Sequence, residues 1–257
     1  MPNDVPLDPG THNCLLVGIS GPSSSGKTTL ARLLRDIYPN AFILHEDDFY
    51  KTDTDIPIDP SSGLQDWDCL DAINLPALEE TLKFIRANGM PPREFVSKED
   101  KNSVGSVEVD KKVVESLHWH ASRWMFSDVP PICIIDGFLL YSDAMAHIRD
   151  LFDVKIFLRT DYATAKARRE GRKGYVTLEG FWEDPPGYVD KIVWPNYVRD
   201  HAFMFEGEDV EGEFREDVLK DLGIEVVPKE KRESMTKCVE WAVGVVDEGL
   251  GKGIGRG

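Results

Sequence analysis

Gly21, Ser23, Ser24, Ser25, Gly26, Lys27, Thr28 and Thr29 fall in one run, Gly21-Pro22-Ser23-Ser24-Ser25-Gly26-Lys27-Thr28-Thr29. Glycines at these positions let a loop bend around a phosphate with its backbone N–H groups turned inward, and the lysine can then reach the β- and γ-phosphates. The Thr28 hydroxyl is placed to hold Mg²⁺. Three other sets of side chains suit the same chemistry. Asp47 lies in the acidic stretch Glu46-Asp47-Asp48-Phe49-Tyr50, and Asp136 closes the apolar run Ile132-Cys133-Ile134-Ile135. Lys166, Arg168, Arg169, Arg172 and Lys173 crowd into eight residues. Phosphoryl transfer needs a carboxylate to take the acceptor's proton and cations to offset charge on the transferred group. We assign Asp47 as the base, Thr28 and Asp136 as Mg²⁺ partners, and Lys27 with Arg168, Arg169 and Arg172 as the cations. In a chain this acidic, the basic run reads as a lid over phosphates rather than a solvated helix face.

The elements that must hold these groups are legible in the hydrophobic pattern. Cys14–Val17 reads as a buried strand before the loop, and Leu30, Leu33, Leu34 and Ile37 recur after it at helical spacing. That order puts the positive end of a helix at the phosphate site. Ala41–His45 predicts a second strand ending at the acidic stretch, as expected where ligands gather at the carboxyl ends of parallel strands. Helices are expected over about 76–87 and 234–246, and strands at 132–136, 154–158 and 223–228. Asp161 is placed to cap the basic helix. Residues 181–197 read as an aromatic loop leading into a helix, and 206–221 as exposed acidic chain.

The fold expected is α/β: a three-layer sandwich with a central parallel sheet flanked by helices, plus a lid, in one domain spanning 1–257. Residues 94–130 read as an insertion packed on its edge, with an exposed hairpin over 98–112. His118 and His120 within it suit a helix end or surface patch better than a metal site. The glycine-rich end, 249–257, reads as a disordered tail.

The chain has 257 residues, 41% hydrophobic and 30% charged, as in a soluble globular protein. Its net charge of −16 argues against nucleic acid and anionic membranes as partners, while leaving room for small phosphate ligands at a local positive site. No leader or membrane-spanning run is evident. Cys14, Cys69, Cys133 and Cys238 are scattered, which suits reduced thiols in the cytoplasm. A monomer or a dimer is expected. A guanine-recognition run Asn-Lys-x-Asp is missing, and so are the extra modules of motor ATPases, leaving a small-molecule kinase.

Several stretches together resemble one family. They are Gly18–Thr29, Asp47-Asp48-Phe49-Tyr50-Lys51, Leu64-Gln65-Asp66-Trp67-Asp68, Ile135–Leu140, and Pro186-Gly187-Tyr188 with Val193-Trp194-Pro195. In this order they are similar to the nicotinamide riboside kinases, in the uridine-kinase-like branch of the P-loop nucleoside kinases. The resemblance implies ATP-dependent phosphorylation of the nicotinamide riboside 5′-hydroxyl, and of nicotinic acid riboside, for NAD synthesis. It implies Asp47 as base, Asp68 and Arg169 on the ribose hydroxyls, and Trp67 and Tyr175 flanking the cationic ring. The chain departs from the family pattern in having Asp136 where glutamate is usual, Trp67 where tyrosine is commoner, and one more residue before Tyr175. A uridine/cytidine kinase and a catalytically lapsed nucleotide-binding scaffold are the alternatives.

Overall fold

Every residue of Leu15–Ser20 and Ile132–Asp136 is buried, the mark of strands covered on both faces. The computed structural model describes residues 13–97, 107–126, 129–172, 174–176 and 180–254. In chain order these form β1 (Leu15–Ser20), α1 (Lys27–Ile37), β2 (Ala41–His45), α2 (Leu75–Asn88), α3 (Lys111–Ala121), β3 (Ile132–Asp136), α4 (Ala146–Arg149) and β4 (Val154–Phe157). Then follow α5 (Tyr162–Glu170), β5 (Tyr175–Val176), β6 (Phe181–Trp182), α6 (Trp194–His201), α7 (Glu216–Leu222), β7 (Ile224–Val226) and α8 (Met235–Ile254). Five strands make one parallel sheet in the order β2-β3-β1-β4-β7, and β5 and β6 form a separate antiparallel hairpin.

Alternation along the strands divides the core. Leu15, Val17, Ile19, Ile132 and Ile134 face one side, with Leu30 and Leu34 of α1 and Val239, Ala242, Val243 and Val246 of α8. Leu16, Cys133 and Ile135 face the other, with Leu78, Leu82 and Ile85 of α2, Tyr197 of α6 and Leu219 of α7. The architecture is therefore the three-layer α/β sandwich read from the sequence. A smaller apolar cluster, Ile56, Trp67, Ala72, Tyr188, Val189, Ile192 and Val193, lies apart from both.

Three stretches differ from expectation. Of the hairpin expected over 98–112, residues 98–106 lie outside the described residues, 107–110 are irregular, and Lys111–Ala121 is helical. Asp110 caps α3 by accepting from Lys112 N–H at 2.9 Å, and Val114, Leu117 and Ala121 pack against the α1/α8 layer. The alternating valines mimic a strand, but the 114/117/121 spacing is helical and has a surface to cover. His118 meets the Asp36 carbonyl and His120 meets Asp247. The acidic stretch 206–221 is not all exposed chain: Val210 and Leu219 are buried, and α7 begins at Glu216. The end is not loose over 249–254, because α8 continues to Ile254, with Leu250 buried; residues 255–257 lie outside the described residues. Gly249 permits that continuation. A Cβ there would stand 2.4 Å from Val154 Cγ2, so the glycine lets the helix lie close on β4.

Candidate active site

The parallel sheet brings the chemistry to the carboxyl ends of adjacent strands. In register, Asp136 of β3 stands between Ile19 of β1 and His45 of β2, two residues before the loop and one before the acidic turn. Gly21 has φ 143° and Gly26, the residue before α1, has φ 100°. A Cβ on Gly21 would lie 2.2 Å from the Leu158 carbonyl oxygen, so glycine is required by both conformation and space. Ser24 also has positive φ, 62°. Ser25 N–H donates to Pro22 O at 3.2 Å, closing the turn. The Ser24 and Ser25 hydroxyls are buried and have no partner among the described residues.

Lys27 opens α1 and is buried, its Nζ donating to the carbonyls of Gly21 and Pro22 at 2.9 Å each. Burial pulls its pKa down to about 8, against the opposing charges of Asp136 and Asp47. Thr28 Oγ1 donates to Asp136 Oδ2 at 2.5 Å, and Thr29 follows on the same helix. The other Asp136 oxygen pairs with His45 Nδ1. Burial raises the Asp136 pKa, but the His45 and Thr28 hydrogen bonds and the Lys27 charge outweigh it, leaving the carboxyl below its ordinary value. Asp47 sits in the 3₁₀ turn Glu46–Phe49, half-buried and within electrostatic reach of Lys27 and Tyr50.

The Trp67-Asp68 stretch meets helix α5 and the segment after the β5–β6 hairpin. Trp67 is buried, its N–H donating to Tyr188 Oη at 3.0 Å. Asn196 of α6 holds Asp66 at 2.8 and 3.0 Å, which fixes the start of Trp67-Asp68. Asp161 accepts from Thr164 N–H at 2.8 Å and so caps α5 as expected. From that helix Arg169 extends Nη1 and Nη2 to the two Asp68 oxygens at 2.8 and 3.0 Å. Nη1 also donates to Ser23 Oγ at 2.9 Å, and Nε to Asp184 Oδ2 at 2.7 Å. Burial pushes the Asp68 pKa up, with the Arg169 charge opposing it. Arg168 Nη1 reaches the Ser24 carbonyl at 3.2 Å. Arg172 is exposed just past the helix, its charge felt at Lys27.

The structure thus gathers Lys27, Thr28, Asp136 and Asp47 at one end of the sheet, and joins them to Asp68 through Arg169. Tyr175 lies on β5, in register with Trp182; its side chain lies outside the described residues. The ring seen against Trp67 is that of Trp182, with centroids 5.5 Å apart, while Tyr50 meets Trp67 edge-on at 5.3 Å.

The chain is 38% identical over 237 residues to a nicotinamide riboside kinase of Schizosaccharomyces pombe, covering 92% of this chain and 97% of the relative. It belongs to the nicotinamide riboside kinase family. Relatives of the same name from Eremothecium gossypii and Saccharomyces cerevisiae are 40% and 36% identical, covering 79% and 77% of this chain and 82% of each relative. No protein-family model matches the chain. Membership of this family makes the chain a kinase.

Four further residues of this cluster have no role in the sequence reading. Trp182 and Asp184 are two of them: the indole Nε1 donates to Asp184 Oδ1 at 2.9 Å, and the same carboxylate holds Arg169. An aromatic and an acid two residues apart, just before Pro185-Pro186-Gly187, were the available signal. His45 and Glu46 have weaker signals, because each lies beside the more conspicuous Asp47. Glu46 is fully buried.

Proposed function

We propose that this chain transfers the γ-phosphoryl group of ATP to the 5′-hydroxyl of nicotinamide riboside in the cytoplasm, supplying the mononucleotide for NAD synthesis, and that it also accepts nicotinic acid riboside. The observation that carries the reading is the position of one guanidinium. Arg169 donates at once to Ser23 of the phosphate loop, at 2.9 Å, and to Asp68 of the acceptor stretch, at 2.8 Å. A single side chain ties the phosphate loop to the Trp67-Asp68 stretch, which supports holding two small molecules in one geometry.

The phosphate loop, residues 21–29, holds the triphosphate. Its buried, unpartnered Ser24 and Ser25 hydroxyls support that role. Lys27, Arg168 and Arg172 offset the charge that spreads over the transferred group. Asp47 takes the proton of the 5′-hydroxyl as its oxygen bonds to the γ-phosphorus; the bond to the β–γ bridging oxygen breaks, and its electron pair leaves with ADP. Thr28 and Asp136 offer a hydroxyl beside a carboxylate, an all-oxygen set that suits a hard cation keeping most of its waters. These two residues would hold Mg²⁺, which neutralises phosphate charge when bound.

On the acceptor side, Asp68 accepts from the ribose hydroxyls while Arg169 holds it in place, and Trp67 with Tyr175 faces the cationic ring. Stacking a cation on an aromatic face stabilises it by ~0.5–2 kcal/mol. Trp182, tilted against Trp67, supports an aromatic lining on the lid side. A ring held by its faces is read lightly at its edge, which is why amide and acid forms are both accepted. ADP release with nicotinamide riboside, nicotinic acid riboside, uridine and cytidine, measured side by side, tests the reading. Turnover of the two pyridine ribosides above the pyrimidines is expected, and preference for uridine would sink it.

A further inference from the structure

Glu46 lies between His45, which is bonded to Asp136, and Asp47. Glu46 is 0% exposed, and its carboxylate reaches the segment that leaves β3. There Oε2 accepts two backbone hydrogen bonds, from Phe138 N–H at 2.7 Å and Leu139 N–H at 3.1 Å. Gly137 N–H is taken by the Ile19 carbonyl at 3.1 Å. The three residues after Asp136 are therefore each tied down, two of them by Glu46.

Gly137 shows how close the contact is. A Cβ there would stand 2.6 Å from Glu46 Oε2 and 2.7 Å from its Cδ. The glycine is needed for the approach of this side chain. The pairing of β2 with β3 ends at His45 and Asp136, so the exits of these two strands need another tie to hold a fixed spacing. A carboxylate with two backbone donors supplies one.

We propose that Glu46 is a positioning residue of the phosphoryl-transfer site: it clamps the exit of β3 to the exit of β2 and so sets Asp136 and Asp47 in register with each other. The inference rests on the roles given above to those two residues. What the clamp needs is an acceptor oxygen at the position of Oε2. A glutamine provides that oxygen and an alanine does not. Supporting groups of this kind matter because a displacement of about 1 Å at the reacting atoms costs up to ~10²-fold in rate.

The test is steady-state kinetics on Glu46→Ala, Glu46→Gln and Gly137→Ala, with melting temperatures measured in parallel. Glu46→Ala is expected to lower kcat by about 10- to 100-fold with both KM values within about threefold, and Glu46→Gln to recover to within about threefold of the parent. Gly137→Ala keeps the carboxylate but pushes it off Phe138, and is expected to show the same kcat loss, which covers the case of an Ala variant that does not fold. Equal losses in the Gln and Ala variants, or parental kcat in Gly137→Ala, overturn the clamp. The parent enzyme's nucleoside preference is read in the same assay, so failure of the substrate reading is seen separately.

Discussion

Lys27, Asp136 and Glu46 are three buried ionisable groups within one small volume, and each is displaced from its ordinary state in its own way. Burial lowers Lys27 to about 8, and raises Glu46 to about 7 against its N–H partners; Asp136, given two hydrogen-bond donors, stays ionised. For Glu46 the sign of the linkage follows. Its folded pKa lies above the unfolded value of 4.5, so the stability it contributes is complete below pH 4.5 and is lost as pH rises through 7. Glu46→Gln, which does not titrate, should therefore gain stability relative to the parent between pH 5 and pH 8, by an amount on the order of a few kcal/mol. Urea unfolding of both proteins at the two pH values checks this; a difference independent of pH would contradict it. Asp47 is tested differently. Asp47→Asn should retain ATP affinity while kcat falls by ~10²–10⁴, and near-parental turnover would remove it from the role of base.

At the scale of elements, the lid is the part whose chemistry comes from packing. Arg169 is held from three directions, by α5 itself, by Asp68 on the acceptor loop and by Asp184 after the β5–β6 hairpin. Trp182 joins the same arrangement through its indole N–H. Replacing it with alanine removes the ring against Trp67 without touching the phosphate loop. The expected result is a KM for the nucleoside raised by about 10-fold or more, with the KM for ATP little changed, as for loss of a stacked aromatic. A parallel rise in both constants would place Trp182 outside the acceptor site. Helix α8 is a second element set by contact. Alanine at Gly249 gains helix propensity of roughly 1 kcal/mol but meets Val154 at 2.4 Å. We expect net destabilisation of about 1–3 kcal/mol by overpacking, read by urea unfolding, with kinetics unchanged.

Over the whole molecule, α3 and the turn after it are fastened to the far side of the sheet from α2 rather than to the candidate active site. Asp247 of α8 accepts from Tyr38 Oη at 2.9 Å, Trp124 Nε1 at 2.8 Å, Arg123 Nη2 at 2.8 Å and His120 Nε2 at 2.9 Å. One carboxylate so collects α1, α3 and the turn after α3. Asp247→Ala strands several donors and should cost about 1–3 kcal/mol of stability, leaving kcat and both KM values at parental levels. A kinetic defect without a stability loss would instead tie this segment to catalysis. Among the described residues no helix is long and apolar enough to cross a membrane.

Local chemistry determined much of this protein. The glycines and Lys27-Thr28 specify their loop wherever it lies, because φ angles and backbone N–H directions are set within a few residues. Strand and helix periods likewise marked β1, β2, β3, α1 and α2. The hairpin expected over 98–112 gives way to helix at Lys111, because the 114/117/121 stripe has a surface to cover that is remote in sequence. The end of α8 was hidden for the same reason: glycines weaken a helix locally, and only contact with β4 repays them. The pairings that make the site, Arg169 with Asp68 over 101 residues and Glu46 with Phe138 over 92, could be settled only by tertiary structure. Residue type says that a buried charge must find a partner; strand order decides which partner is there.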